Sequence, residues 1–191
     1  MVKARELAKI INQQIYDLSD ADFAQQCKRE LDEKGVLTLS NFLNANTLKE
    51  LVEEAENGAS QAYYTNSTHN VYLTKINNNF KPEHVINKQL VSSKGCICTD
   101  QIQSDSKLKK LYNSNIFKSF IAAVVGEKSL FPYEDPLSSI NVHYAGAGQE
   151  LNWHFDNSEF AITLLIQAAQ AGGHFEVVRD VRGAEAGAMI V

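Results

Sequence analysis

At 191 residues and 44% hydrophobic content the chain is long enough for one domain with a core, residues 1–191, and no shift in composition marks a second. A net charge of -5, with acidic and basic residues interspersed, argues against a nucleic-acid or acidic-membrane partner, so a small molecule is the expected partner. No apolar run approaches the roughly 18 residues that span a bilayer, and Met1-Val2-Lys3-Ala4-Arg5 opens an amphipathic segment rather than a signal peptide, so a cytoplasmic protein is expected.

The first third reads as helix, strand, helix. Ser19-Asp20-Ala21-Asp22 opens a helix with a capping serine and an acidic first turn, Phe23, Cys27 and Leu31 form its apolar stripe, and Gly35 ends it. The run from Gly35 to Leu43 reads as a strand. Asn46 then caps a second helix with an apolar face of Leu48, Leu51, Val52 and Ala55 and a stop at Gly58. From Asn57 to Ser106 the chain is polar and reads as a long irregular loop, a class of segment that often carries function. Within it Cys96-Ile97-Cys98 is spaced too tightly for a zinc knuckle, and with Cys27 it makes no even disulfide set, so reduced thiols are expected. Two more helices follow between Ser106 and Asp135, with Leu108, Leu111, Ile116, Phe117, Phe120, Ile121, Val124 and Val125 as core residues.

The chemistry concentrates at Asn152-Trp153-His154-Phe155-Asp156. In an extended segment His154 and Asp156 project to one side, while Trp153, expected to pack in the core, projects to the other. An imidazole and a carboxylate on a shared face supply two ligands of a 2-His-1-carboxylate iron site. Upstream, the strand-like run from Ser138 to Tyr144 enters a glycine turn. Downstream come the apolar run from Phe160 to Ile166 and then Gly172-Gly173-His174-Phe175-Glu176, read as a turn entering another strand.

Strand, glycine turn, His-x-Asp strand, apolar strand and Gly-Gly strand follow the order of a double-stranded β-helix. The segment from Pro136 to Arg182 resembles the Fe(II)/2-oxoglutarate-dependent oxygenases. Within them, Trp153-His154-Phe155-Asp156-Asn157-Ser158-Glu159-Phe160-Ala161-Ile162-Thr163-Leu164-Leu165 is similar to the branch containing free-amino-acid hydroxylases and radical halogenases. The resemblance implies an α+β fold, a jelly-roll or cupin-like double-stranded β-helix with N-terminal buttressing helices. It also implies Fe(II), 2-oxoglutarate as cosubstrate, dioxygen, and a small polar substrate such as a free amino acid. It makes His154 and Asp156 the first two metal ligands. The halogenases of this branch carry a small residue where Asp156 stands, leaving room for chloride, so the carboxylate implies hydroxylation.

Tyr144 stands where related oxygenases place a tyrosine that hydrogen-bonds 2-oxoglutarate. Asn141 is its rival, since the two lie on opposite strand faces, and His143 shares the face of Asn141; which of them points inward is open. The resemblance also puts His69, Asn70 and Tyr72 on the substrate side, with Glu176 as a further substrate contact. His174 follows Asp156 too soon to match the family's distal histidine and reads as a surface or strand residue. The run from Gly183 to Val191 reads as an interrupted linker, and the family's final strands, third ligand and cosubstrate anchor have no counterpart in the 191 residues. A truncated form is therefore expected, inactive alone, with open strand edges that favour a homo-oligomer. The alternative reading is a non-catalytic metal- or small-molecule-binding or regulatory fragment of the same fold.

Overall fold

The computed structural model describes residues 4–179 and 181. They divide into two compact units, one of Met1–Gln61 with Ile97–Val142, the other of Ala62–Cys96 with His143–Val191.

The first unit is helical. A short α1 (Ala4–Leu7) leads to Ile11, which pairs with Leu43 in an isolated antiparallel bridge. The cap of α2 (Ala21–Lys34) is Asp20 and not Ser19: the Asp20 carboxylate accepts from the Asp22 and Phe23 amides, while Ser19 donates its hydroxyl to Asp17. Gly35 closes this helix as expected, in the left-handed conformation at φ 70 that glycine adopts without strain. The cap of α3 (Ala45–Gly58) is Asn44 and not Asn46, because the Asn44 side chain reaches both the Thr47 amide and, at 2.7 Å, the carbonyl of Lys9. Gly58 lies inside that helix as its last residue.

The expected strand from Gly35 to Leu43 is corrected. Residues 36–39 form no ladder among the described residues, and Asn41 turns the chain at φ 56, so only Leu43 pairs. Two further helices, α4 (Lys107–Tyr112) and α5 (Asn115–Val125), carry serine caps at Ser106 and Ser114. Ser106 has a second task, donating its hydroxyl to Glu54 on α3 at 2.7 Å. The core is aromatic: Phe23 of α2 stacks on Phe120 of α5 with centroids 5.6 Å apart, and Tyr16 packs against both Phe23 and Phe42. Ile10, Ile11, Leu51 and Phe120 are each no more than 3% exposed, and full burial of such a side chain stabilises by about 1.5–3 kcal/mol.

The second unit is built on an antiparallel sheet of order β1-β2-β3, comprising β1 (Tyr63–His69), β2 (Leu90–Ile97) and β3 (Val142–Tyr144), whose ends lie at the unit boundaries. Two of these strands come from the stretch expected to be irregular. Tyr63 faces Cys96 at one end of the β1–β2 ladder and His69 faces Leu90 at the other. No apolar alternation announces β1, because neither of its faces is buried. The Tyr64 ring instead covers Gly95, where an added Cβ would lie 2.7 Å from a ring carbon.

The long connection between these two strands is organised by two buried asparagines. Asn87 accepts from the Asn77 amide at 2.8 Å and donates to the carbonyls of Asn77, Phe80 and Lys81. Asn70, at the end of β1, accepts in the same way from the amides of residues that follow it.

After Tyr144 the described residues contain no strand. The strands expected at His154–Asp156, at 160–166 and after Gly172-Gly173 are thus not formed there: Ile162 is 56% and Leu165 72% exposed, with no ladder to satisfy the backbone between them. The run from 183 to 191 lies outside the described residues. No helix among the described residues is long and apolar enough to cross a membrane.

Candidate metal centre

The geometry of the His-x-Asp segment begins at Asn152. Its φ of 57 is left-handed, a conformation that asparagine tolerates better than other residues with a Cβ. Its side-chain oxygen accepts from the Trp153 amide at 2.9 Å, and its carbonyl lies 2.9 Å from His154 Nδ1. A carbonyl can only accept, so in this bond Nδ1 carries the proton. The lone pair of a neutral His154 ring is then on Nε2, the arrangement that metal-binding histidines use.

His154 Nε2 lies 3.6 Å from Asp156 Oδ1. That is longer than a hydrogen bond. Two donors about 2.1 Å from one ion stand about 3–3.5 Å apart, so nitrogen and oxygen need close by only about a few tenths of an ångström to share a metal. Asp156 is 58% and His154 32% exposed at the side chain, so as a bare surface ion pair the two would be worth about 0–1 kcal/mol. The two side chains thus lie near one another although the segment that carries them is not a strand.

His69 stands edge-on to His154, with ring centroids 5.9 Å apart and planes at 84°. Both its nitrogens face carbonyl oxygens, Nδ1 that of Asn70 at 3.0 Å and Nε2 that of Leu151 at 3.3 Å, so neither is turned to Asp156. The Phe155 amide donates to the Val71 carbonyl at 2.7 Å, and the Tyr72 and Phe155 rings pack with centroids 5.1 Å apart. The structure therefore brings His69 and Tyr72 into one assembly with His154 and Asp156. Asn70 lies there too, but it is 1% exposed and its amide group is spent within its own loop. Among the described residues no group of three or more histidine, cysteine or carboxylate side chains could hold a metal.

The other candidates are placed differently. His143 belongs to the second unit, with Nε2 3.4 Å from Lys94 Nζ. Partial desolvation of the ring, and then the Lys94 ammonium, hold it below the ordinary histidine value, and because the ring remains exposed the effect is a screened one. Tyr144 is half-buried at the end of β3. Asn141 belongs to the first unit and donates to the Ser138 carbonyl at 3.2 Å. Glu176 and His174 are exposed. Trp153 is 42% exposed, which corrects its expected place in the core: the turn at Asn152 carries the indole outward. Cys27, Cys96 and Cys98 form no disulfide among the described residues.

Asn152 and Lys94 are not legible in the sequence as site residues. Nothing in residue spacing marks a left-handed asparagine, and Lys94 meets His143 only through strand pairing. With the geometry established, comparison with known proteins adds the family: the chain matches the family model of Halogenase D over residues 19–186 and belongs to that family. No curated protein and no solved structure matches it.

Proposed function

We propose that the chain is a non-haem Fe(II), 2-oxoglutarate-dependent oxygenase that hydroxylates a small polar substrate, a free amino acid being the class suggested by its resemblance to that branch. One observation carries the reading: His154 Nε2, left free by the bond from Nδ1 to the Asn152 carbonyl, stands 3.6 Å from a carboxylate oxygen of Asp156. A nitrogen and a hard oxygen on one side of the chain suit iron. Membership of a halogenase family is consistent with this chemistry at the level of the class.

In this proposal His154 and Asp156 hold the metal, and the bound iron and 2-oxoglutarate supply the oxidising power used with dioxygen. Asn152 keeps the histidine in the required tautomer. Asp156 takes the coordination position that a chloride ion would need, which favours oxygen transfer over halogen transfer. Tyr144 and His143, which share the second unit with the pair, are the alternatives proposed to contact 2-oxoglutarate. The packing of the Tyr72 and Phe155 rings, with the Phe155 amide on the Val71 carbonyl, holds the segment between His154 and Asp156 to the loop after β1. The three-stranded sheet is proposed to belong to a double-stranded β-helix.

Anaerobic addition of Fe(II) and 2-oxoglutarate tests the reading, since a charge-transfer absorption band requires both at one centre. The band is expected with the native chain and should vanish in His154→Ala; its absence from the native chain would contradict the proposal. Mass spectrometry of free amino acids turned over in excess chloride by a full-length version, one that supplies the third ligand and cosubstrate anchor, should then show products with one added oxygen and no chlorine.

A further inference from the structure

An open groove of about 660 Å³ lies in the second unit, within the size range of small-molecule sites. Thr68, His69, Leu73, Thr74, Lys75 and Ile76 line it, with Asn78 and Gln89 at the same groove. We propose that this groove binds a small amphipathic acid, with the Lys75 ammonium taking the carboxylate and Leu73 and Ile76 receiving the apolar stem.

Charge and preorganisation support the assignment. Lys75 is the charged residue among the described lining, which holds no carboxylate, and no ion pair is formed by Lys75 among the described residues. Such a cation attracts an anion. Leu73 is 41% and Ile76 59% exposed, so an aliphatic ligand would cover surface now in contact with water.

The loop that presents these groups is held in shape at a cost. Leu73 has φ 54, a strained conformation for a leucine. It persists because the Leu73 amide donates to the Asn70 carbonyl at 2.9 Å, while buried Asn70 accepts from the Tyr72 and Thr74 amides at 3.1 Å each. His69 is common to the groove wall and to the edge-on contact with His154. The groove's use as a substrate or cosubstrate subsite rests on the proposed function, whereas its affinity for an acid does not.

Amide chemical-shift titrations of the metal-free chain separate the two claims. Hexanoate and 2-oxoglutarate serve as acid probes, and hexylamine as a probe with the same stem and opposite charge. Hexanoate should shift Thr74, Lys75 and Ile76, and Lys75→Met should weaken it about tenfold. 2-Oxoglutarate, which offers a carboxylate but no apolar stem, should bind more weakly than hexanoate. The proposal is overturned if hexanoate does not shift the groove, if Lys75→Met binds as well as the native chain, or if 2-oxoglutarate or hexylamine binds equally. Fe(II) titration of Lys75→Met tests the other claim: unchanged metal binding beside lost acid binding locates the acid in the groove, and lost metal binding with retained acid binding would contradict the assignment.

Discussion

Because a carbonyl can only accept, the bond from His154 Nδ1 to the Asn152 carbonyl decides which imidazole nitrogen is free, and the left-handed turn at Asn152 decides where that nitrogen points. Asn152→Gly keeps access to that turn, whereas Asn152→Val resists it by about 1–2 kcal/mol. Fe(II) affinity should fall by up to roughly 5–30-fold in the valine variant and much less in the glycine variant. Equal affinities would remove Asn152 from the account. His143 offers a test by pH. Its folded value is depressed below the ordinary 6.5, so the unfolded chain binds the proton more tightly, and the stability associated with the neutral ring is present above about that pH. It is lost as pH falls through the depressed folded value. Melting measured across this window should be less pH-dependent in His143→Gln, and Lys94→Met should move the His143 titration back toward the ordinary value. The pair His154 and Asp156 can be read from sequence because ligand-type residues and their spacing are explicit there. The turn that positions them cannot, since a left-handed asparagine leaves no periodic signal.

At the scale of elements, the helices of the first unit are legible because their determinants are local: an acidic or serine cap, an apolar stripe and a terminal glycine mark α2 and α5. Phe120 lies on such a stripe and stacks on Phe23, so Phe120→Ala should destabilise by about 3–5 kcal/mol, read as a lowered melting temperature. The β1–β2 pairing is not legible, because Tyr63-Tyr64-Thr65-Asn66-Ser67-Thr68-His69 buries neither face and so shows no alternation. The run from Phe160 to Ile166 shows the converse, an apolar pattern without a ladder among the described residues. Pattern reports a tendency, and a strand also needs a partner. The loop after β1 depends on one buried side chain: Asn70→Ala removes the acceptor of the Tyr72 and Thr74 amides and should cost about 1–3 kcal/mol. Hydrogen exchange should accelerate at those two amides more than in α2, and uniform acceleration would show that Asn70 supports the whole fold.

At the scale of the molecule, two units and a dispersed net charge of -5 accompany one region where metal-type ligands, aromatic packing and a small-molecule groove meet, all within the second unit. The chain belongs to the Halogenase D family, and in the proposed chemistry Asp156 separates hydroxylation from halogen transfer. In the proposed function His154 and Asp156 bind the metal. Anaerobic Fe(II) titration of the native chain, His154→Ala and Asp156→Ala tests this. One equivalent should bind the native chain and stoichiometric binding should be lost in both variants; retention of one-to-one binding in both would make the pair a surface contact and contradict the claim.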